Sequence, residues 1–243
     1  MSKLPIYTEK LKNNRQQQAC GLCDDHIVYI NQGIGIHRDM QAAFLQMQQD
    51  AALDDIDLQI ASGFRDFTRQ LHIFNGKLSG QRSVKDLDNN VVDIQQLMPE
   101  QALYAILLYS ALPGGSRHHW GCDIDVFDAN ALNTNTLALE PWEYQQGGPM
   151  HKLYQWLCKH ANRYGFYHPY QYYQGGVAAE PWHLSYQPLA KLYEDALDLD
   201  TLRQTISQAD ICEKQLILNN LAHIYQQYIC NTCAFGDNTW PPG

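Results

Sequence analysis

Ser116-Arg117-His118-His119-Trp120-Gly121-Cys122-Asp123-Ile124-Asp125 is the stretch on which the reading of this chain turns. Alternate residues of a strand face opposite sides. Cys122, Ile124 and Val126 therefore make an apolar set for a core, while Asp123, Asp125 and Phe127 turn the other way and carry carboxylates toward a cavity. A strand between His118 and Asp125 still leaves both facing that cavity. Downstream, Glu180-Pro181-Trp182-His183 adds a second imidazole and a further carboxylate. Two ring nitrogens, one carboxylate oxygen and an open fourth position make the donor set of a catalytic zinc site. A glutamate that stands beside such a site without being a ligand supplies the base it needs. Pro181 argues against a regular helix here. A loop running into a strand would let Glu180 and His183 reach one water.

Outward from this stretch, the periodicities alternate between helix and strand. Met40, Ala43, Phe44, Met47 and Ala51 recur at helical steps and predict a helix from Arg38 to about Leu53. Leu58-Gln59-Ile60-Ala61-Ser62 reads as a strand. A helix is expected from about Asp66 to Phe74, then a long loop over 75–97, with room for a hairpin, that overhangs a cleft. Pro99 opens a helix that Gly114-Gly115 stop. Residues 128–148 read as an irregular connection, and Pro149 opens another helix that ends at Gly165. Phe166 to Tyr173 is expected to be extended, Gly175-Gly176 to turn, and Trp182 to Tyr186 to form a strand. From Pro188 the chain reads as helical, with a last long helix over about Glu213 to Ile229 and a loose tail over 236–243.

This order predicts an α+β fold, a small antiparallel sheet covered by helices. It divides into a polar, irregular N-terminal extension (1–37), a central domain that carries the candidate zinc site (38–187) and a C-terminal helical extension (188–243) packed on the core.

Composition narrows the function classes. The 243 residues are 45% hydrophobic, enough for a proper core. A net charge of −9 with scattered basic residues argues against a nucleic-acid binder. No run approaches the roughly 18 apolar residues of a membrane helix, so no transmembrane segment is expected. The opening Met-Ser-Lys-Leu-Pro-Ile lacks a basic region followed by an apolar run. A cytoplasmic location is expected, or a periplasmic one if a signal was removed. Nothing in the pattern specifies an oligomeric state. Of seven cysteines, Cys20/Cys23 and Cys230/Cys233 form C-x-x-C pairs at opposite ends. They are read as terminal disulfides, reduced thiols or a four-sulfur zinc site.

Taken together, Ser116-x-His118-x-x-Gly121-x-x-x-Asp125, Glu180-x-Trp182-His183 and Ser62-Gly63-Phe64-Arg65 resemble the D-alanyl-D-alanine carboxypeptidase family related to VanY, in the peptidase M15 group. That group shares its zinc site with lysostaphin-type peptidases and Hedgehog domains. The resemblance covers about residues 40–187. The context His119-Trp120-Gly121-Cys122 is bulkier than is usual in the family. The resemblance implies one catalytic Zn²⁺ on His118, Asp125 and His183, with Glu180 as the base. It also implies Arg65 on the substrate carbonyl or its oxyanion, and Ser116 on the terminal carboxylate. Gln70 is a candidate for the substrate-contacting wall. The implied substrate is a D-Ala-terminated peptidoglycan stem peptide. A D-Ala-D-Ala dipeptidase, an L,D-carboxypeptidase, a peptidoglycan endopeptidase and a zinc-stabilised binding module are the competing readings.

Blander readings stand beside these. His119 competes with His118 as ligand. Asp123 competes with Asp125, or supports the site from behind. Glu180 reads equally as a surface carboxylate, Arg65 as the partner of an acid on the sheet, and Ser116 as the cap of a turn. Trp182 reads as packing beneath the site. Cys122 reads as a small buried residue. His72, His151, His160, His168 and His223 read as ordinary surface or helix residues.

Overall fold

The structure is a computed structural model that describes residues 14–30, 33–132 and 136–236. The first 13 residues and 237–243, including most of the expected loose tail, lie outside the described residues. The chain enters through helix α1 (Asn14–Ala19) and a hairpin of β1 (Ile27–Tyr29) and β2 (Gly35–His37). Helix α2 (Gln41–Ala52) leads to β3 (Leu58–Ser62), and α3 (Phe67–Leu78) to a second hairpin, β4 (Val84–Lys85) and β5 (Val91–Val92). Then come α4 (Pro99–Leu107), a 3₁₀ turn (Arg117–Trp120) and β6 (Asp123–Asp128). Two short helices, α5 (Ala129–Leu132) and α6 (Pro141–Tyr144), precede α7 (His151–His160). Strands β7 (Phe166–Tyr167) and β8 (His183–Tyr186) complete the central sheet, and α8 (Gln187–Glu194), α9 (Leu199–Gln208) and α10 (Lys214–Ile224) close the chain.

The central sheet runs β3-β6-β8-β7, and every pairing is antiparallel. The fold is α+β, as the alternating periodicities imply. Cross-strand partners share a face of a sheet. Ile124 pairs with Leu184, and both are wholly buried in the core with Cys122 and Val126. Asp125 pairs with His183 and Asp123 with Ser185, so these polar residues share the opposite face. None of the helices among the described residues is long and apolar enough to cross a membrane.

The helix from Arg38, strand β3 and the 75–97 hairpin fall where the periodicities place them. Three expectations differ. The described part of the N-terminal extension, 14–30 and 33–37, is not irregular: α1 and the β1–β2 hairpin fold onto the domain and bury Ala19, Cys20, Leu22 and Ile36. The extended segment expected to reach Tyr173 stops at Tyr167, where pairing with β8 ends. The 128–148 connection carries α5 and α6, and Tyr144 donates its hydroxyl to Val126 O at 2.7 Å.

Candidate active site

Two glycines bring the site segments together. Gly121 ends the 3₁₀ turn with φ 68°, a left-handed conformation that favours glycine. Its carbonyl accepts from His37 N at 2.8 Å, which ties β2 to the turn. Gly63 follows β3, and a Cβ there would stand 2.3 Å from Gly35 O. This close approach lets Gly63 O accept the Nδ1 proton of His118 at 2.9 Å. Arg65 N donates to His118 O at 3.1 Å, so the Ser62–Arg65 segment grips the turn at both ends.

The ligand candidates converge. One donor atom from each of His118, Asp125 and His183 lies within 4.8 Å of the others, and all three residues are buried. His118 Nε2 is 3.4 Å from Asp125 Oδ2, and His183 Nδ1 is 3.1 Å from Asp125 Oδ1. The two imidazoles meet edge to face, with centroids 4.9 Å apart. Glu180 sits in the turn before β8, with Oε2 3.5 Å from His183 Nδ1.

The donor chemistry fits a divalent cation that prefers nitrogen and oxygen. His118 donates Nδ1–H to a carbonyl, which leaves Nε2 as a lone pair on the site side. Burial lowers His118 to about 4, and Arg65 adds to this, so the ring is neutral. The far nitrogen of His183, Nε2, lies 3.0 Å from Asp123 Oδ1, the carboxylate–histidine arrangement found behind metal ligands. Burial opposes a charge on His183, but the hydrogen bonds it donates to Asp123 and Asp125 outweigh it and raise the ring to about 9. A proton on His183 thus meets the demand of the carboxylates for positive charge, and a bound cation would displace it. Burial raises Glu180 to about 7, with Asp125 adding to the rise and His183, Arg65 and Lys77 opposing it.

The alternatives resolve by geometry. His119 has both nitrogens engaged: Nδ1 donates to Arg65 O at 2.6 Å, and Nε2 accepts from Gly114 N at 3.0 Å. Asp123 has no exposed surface and stands behind His183 instead of facing the cleft. Arg65 Nη2 is 3.9 Å from Asp125 Oδ2, and its Nε is buried without a partner. Ser116 occupies the N-cap of the 3₁₀ turn, yet its side chain makes no capping bond. Trp182 packs against Tyr144 and also lines the cleft.

Gln70 corrects the expectation of a substrate-facing wall. It is fully buried and off the cleft lining. Its Oε1 accepts from Arg65 Nη1 at 3.1 Å, and its Nε2 donates to Ala111 O at 2.8 Å, so it braces Arg65 from behind. His168 is likewise buried, with Nε2 unpartnered, and is not an ordinary surface residue. The four cysteines of the C-x-x-C pairs are free thiols and form no metal-binding group among the described residues. Lys77, missed in the sequence, lines the cleft, and its ammonium makes no ion pair within 4.0 Å among the described residues.

Two compartments flank the site. One, of about 290 Å³, is walled by Lys77, Lys85, Asn89, Glu140 and Trp182. Lys85 and Asn89 of the β4–β5 hairpin both bind Glu140 across it. The other, of about 40 Å³, lies among Ser116, Tyr109, Tyr170 and Val177. Arg65, His118 and Glu180 border both. A larger cavity, about 650 Å³, opens between the first hairpin, α2 and β3, but its lining holds no imidazole or thiol.

Comparison with known proteins agrees with this geometry. A family model described as VanY, D-alanyl-D-alanine carboxypeptidase, matches residues 33–189. A Haemophilus influenzae protein of uncharacterised function is 35% identical over 121 residues, which cover 49% of this chain and 92% of that protein. Among solved structures, the LdcB LD-carboxypeptidase superposes with a TM-score of 0.51 at 21% identity, covering 75% of this chain and 79% of the other. VanYB, solved with D-alanine-D-alanine, gives 0.50 at 20% identity, covering 76% and 89%. At such identity these two likenesses concern the fold. The match over 33–189 spans every candidate site residue, and the chain belongs to the VanY family of D-alanyl-D-alanine carboxypeptidases.

Proposed function

We propose that this chain is a zinc-dependent carboxypeptidase that removes the C-terminal residue of D-Ala-terminated peptidoglycan stem peptides. The observation that carries the reading is the convergence of His118, Asp125 and His183 within 4.8 Å, with Glu180 beside them as a carboxylate outside the ligand group. A closed structural site would want a fourth protein ligand in that position.

His118, Asp125 and His183 would hold the ion. Bound there, Zn²⁺ supplies Lewis acidity toward a carbonyl oxygen and brings the pKa of water to about 7. The remaining chemistry belongs to side chains. Glu180, raised toward neutrality by burial, takes the proton of the attacking water and returns it to the departing amine. Arg65, fixed by Gln70, directs a permanent cation at the oxygen on which negative charge develops. Ser116 meets the terminal carboxylate in the small compartment. The unequal compartments support trimming from the end. About 40 Å³ leaves room for a small terminal residue, while about 290 Å³ receives the body of the peptide.

The test is Glu180→Ala assayed on D-Ala-D-Ala-terminated peptides, with metal content measured on the same sample. Zinc stoichiometry is expected to persist while turnover falls by roughly 10²–10⁴-fold, the range for a general acid–base residue. Undiminished turnover would overturn the mechanism.

A further inference from the structure

His183 presents Nδ1 to the cleft, and its other nitrogen begins a line of contacts that leaves the site. Asp123 Oδ1, 3.0 Å from His183 Nε2, also accepts from Arg117 Nε at 2.7 Å. Arg117 Nη1 donates to Glu194 Oε1 at 2.8 Å, and Nη2 donates to Ser185 Oγ at 2.8 Å and Tyr167 OH at 3.2 Å. Ser185 passes its own proton to Asp123 Oδ2 at 3.0 Å. The guanidinium lies over Trp120, 4.4 Å from the ring centroid. Every polar edge of Arg117 and both oxygens of Asp123 are thereby fixed. Glu194 is the last residue of α8 and lies beyond the family match, which ends at residue 189.

We infer that Glu194 is a positioning residue for His183, acting through Arg117 and Asp123, and that the C-terminal helical region in this way sets the metal affinity of the site. The inference rests on the reading of His118, Asp125 and His183 as zinc ligands. An imidazole ligates well only when its ring plane and tautomer are held, and the group that holds them is the carboxylate on its far nitrogen. A buried carboxylate keeps its orientation only when its charge is met by fixed hydrogen-bond donors. Arg117 meets that charge with a rigid, planar fork whose Nε and Nη2 are held by Asp123, Ser185 and Tyr167, and an anion on the remaining Nη1 completes its orientation. Glu194 engages the outermost prong.

The test uses the full chain, stripped of metal. Zn²⁺ affinity is measured by competition with a chromophoric chelator for wild type, Glu194→Ala, Glu194→Gln and Arg117→Lys, and the metal-free proteins are melted in parallel. Arg117 is buried and its replacement endangers the fold. The Glu194 side chain is 34% exposed, so the Glu194 variants carry the test by themselves. Glu194→Ala is expected to weaken Zn²⁺ binding by about tenfold, the lower end for groups behind a metal ligand, with metal-free melting unchanged. Glu194→Gln, which keeps an acceptor for Nη1, is expected to recover most of that loss. Arg117→Lys is expected to lose as much as Glu194→Ala or more. Wild-type affinity in Glu194→Ala overturns the inference and leaves the functional reading standing. So does a loss matched by an equal drop in metal-free stability. A wild-type chain that binds no Zn²⁺ overturns both.

Discussion

At the scale of single residues, the candidate site is built from pairs in which one member is a candidate for chemistry and the other holds it. His118 has Gly63 O, His183 has Asp123, and Arg65 has Gln70. Gln70 is the sharpest case. Its carboxamide joins a guanidinium to a backbone carbonyl that is 41 residues away in sequence. Gln70→Leu would leave Ala111 O and Arg65 Nη1 without these partners. A buried group left unpaired costs about 1–3 kcal/mol, and misplacement of a catalytic cation can cost up to about a hundredfold in rate. The variant is therefore expected to show a lower unfolding midpoint and a kcat reduced by roughly tenfold to a hundredfold, with KM changed far less. A rise in KM with an equal loss in kcat/KM at constant kcat would place Gln70 on the substrate instead. The candidate ligand and base residues stood out in the sequence because their types are scarce and their order is specific. Of the residues that hold them, Asp123 was foreseen from its place on the same strand face, but Gln70 and Arg117 were not, because a glutamine or arginine shows its partner only once the chain has folded.

At the scale of elements, the register of β6 against β8 does most of the positioning. Asp125 opposite His183 places two ligand candidates on neighbouring strands and one face. Strand alternation in 122–127 was enough to foresee this face. The first hairpin was not foreseen, since β1 and β2 have three residues each, too few for a periodicity to emerge. Its buried His37 has a measurable consequence. His37 Nδ1 accepts from Asp39 N at 3.1 Å, and Nε2 lies 3.1 Å from Tyr193 OH. Burial lowers its pKa to about 4, helped by His26, Arg15 and Arg38 and opposed by Asp39. The unfolded chain, titrating near 6.5, binds the proton more readily than the folded one. The contribution of His37 to stability is therefore complete above pH 6.5 and is lost as pH falls toward about 4. At about 1.36 kcal/mol per unit, the loss has a ceiling of about 3–4 kcal/mol. Urea unfolding at pH 7, 5.5 and 4.5 is expected to show this slope in wild type and a shallower one in His37→Gln. Parallel curves would show that His37 does not carry the effect.

At the scale of the whole molecule, the family match and the folded unit have different limits. The match ends at residue 189, yet the core runs on. Tyr193, Leu197, Leu202, Ile206, Ile217, Leu221 and Ile224 are each at most 2% exposed. Helix α1 also reaches α9 and the site turn: Gln16 Nε2 donates to Thr201 Oγ1 at 2.9 Å, and Trp120 Nε1 of the site turn donates to Ala19 O at 3.2 Å. The 3₁₀ turn that carries His118 is thus held from the N-terminal side by α1 and, through Arg117, from the C-terminal side by α8. A chain ending at residue 189 would lose all seven apolar side chains named above. At about 1.5–3 kcal/mol each, that loss is comparable to or larger than the roughly 5–15 kcal/mol that separates a folded domain from its unfolded state. The shortened chain is expected to show no cooperative thermal transition and to bind a hydrophobic dye at room temperature, while the full chain melts in one step. A shortened chain that melts cooperatively near the wild-type midpoint would mean that α8, α9 and α10 sit on a core already complete without them.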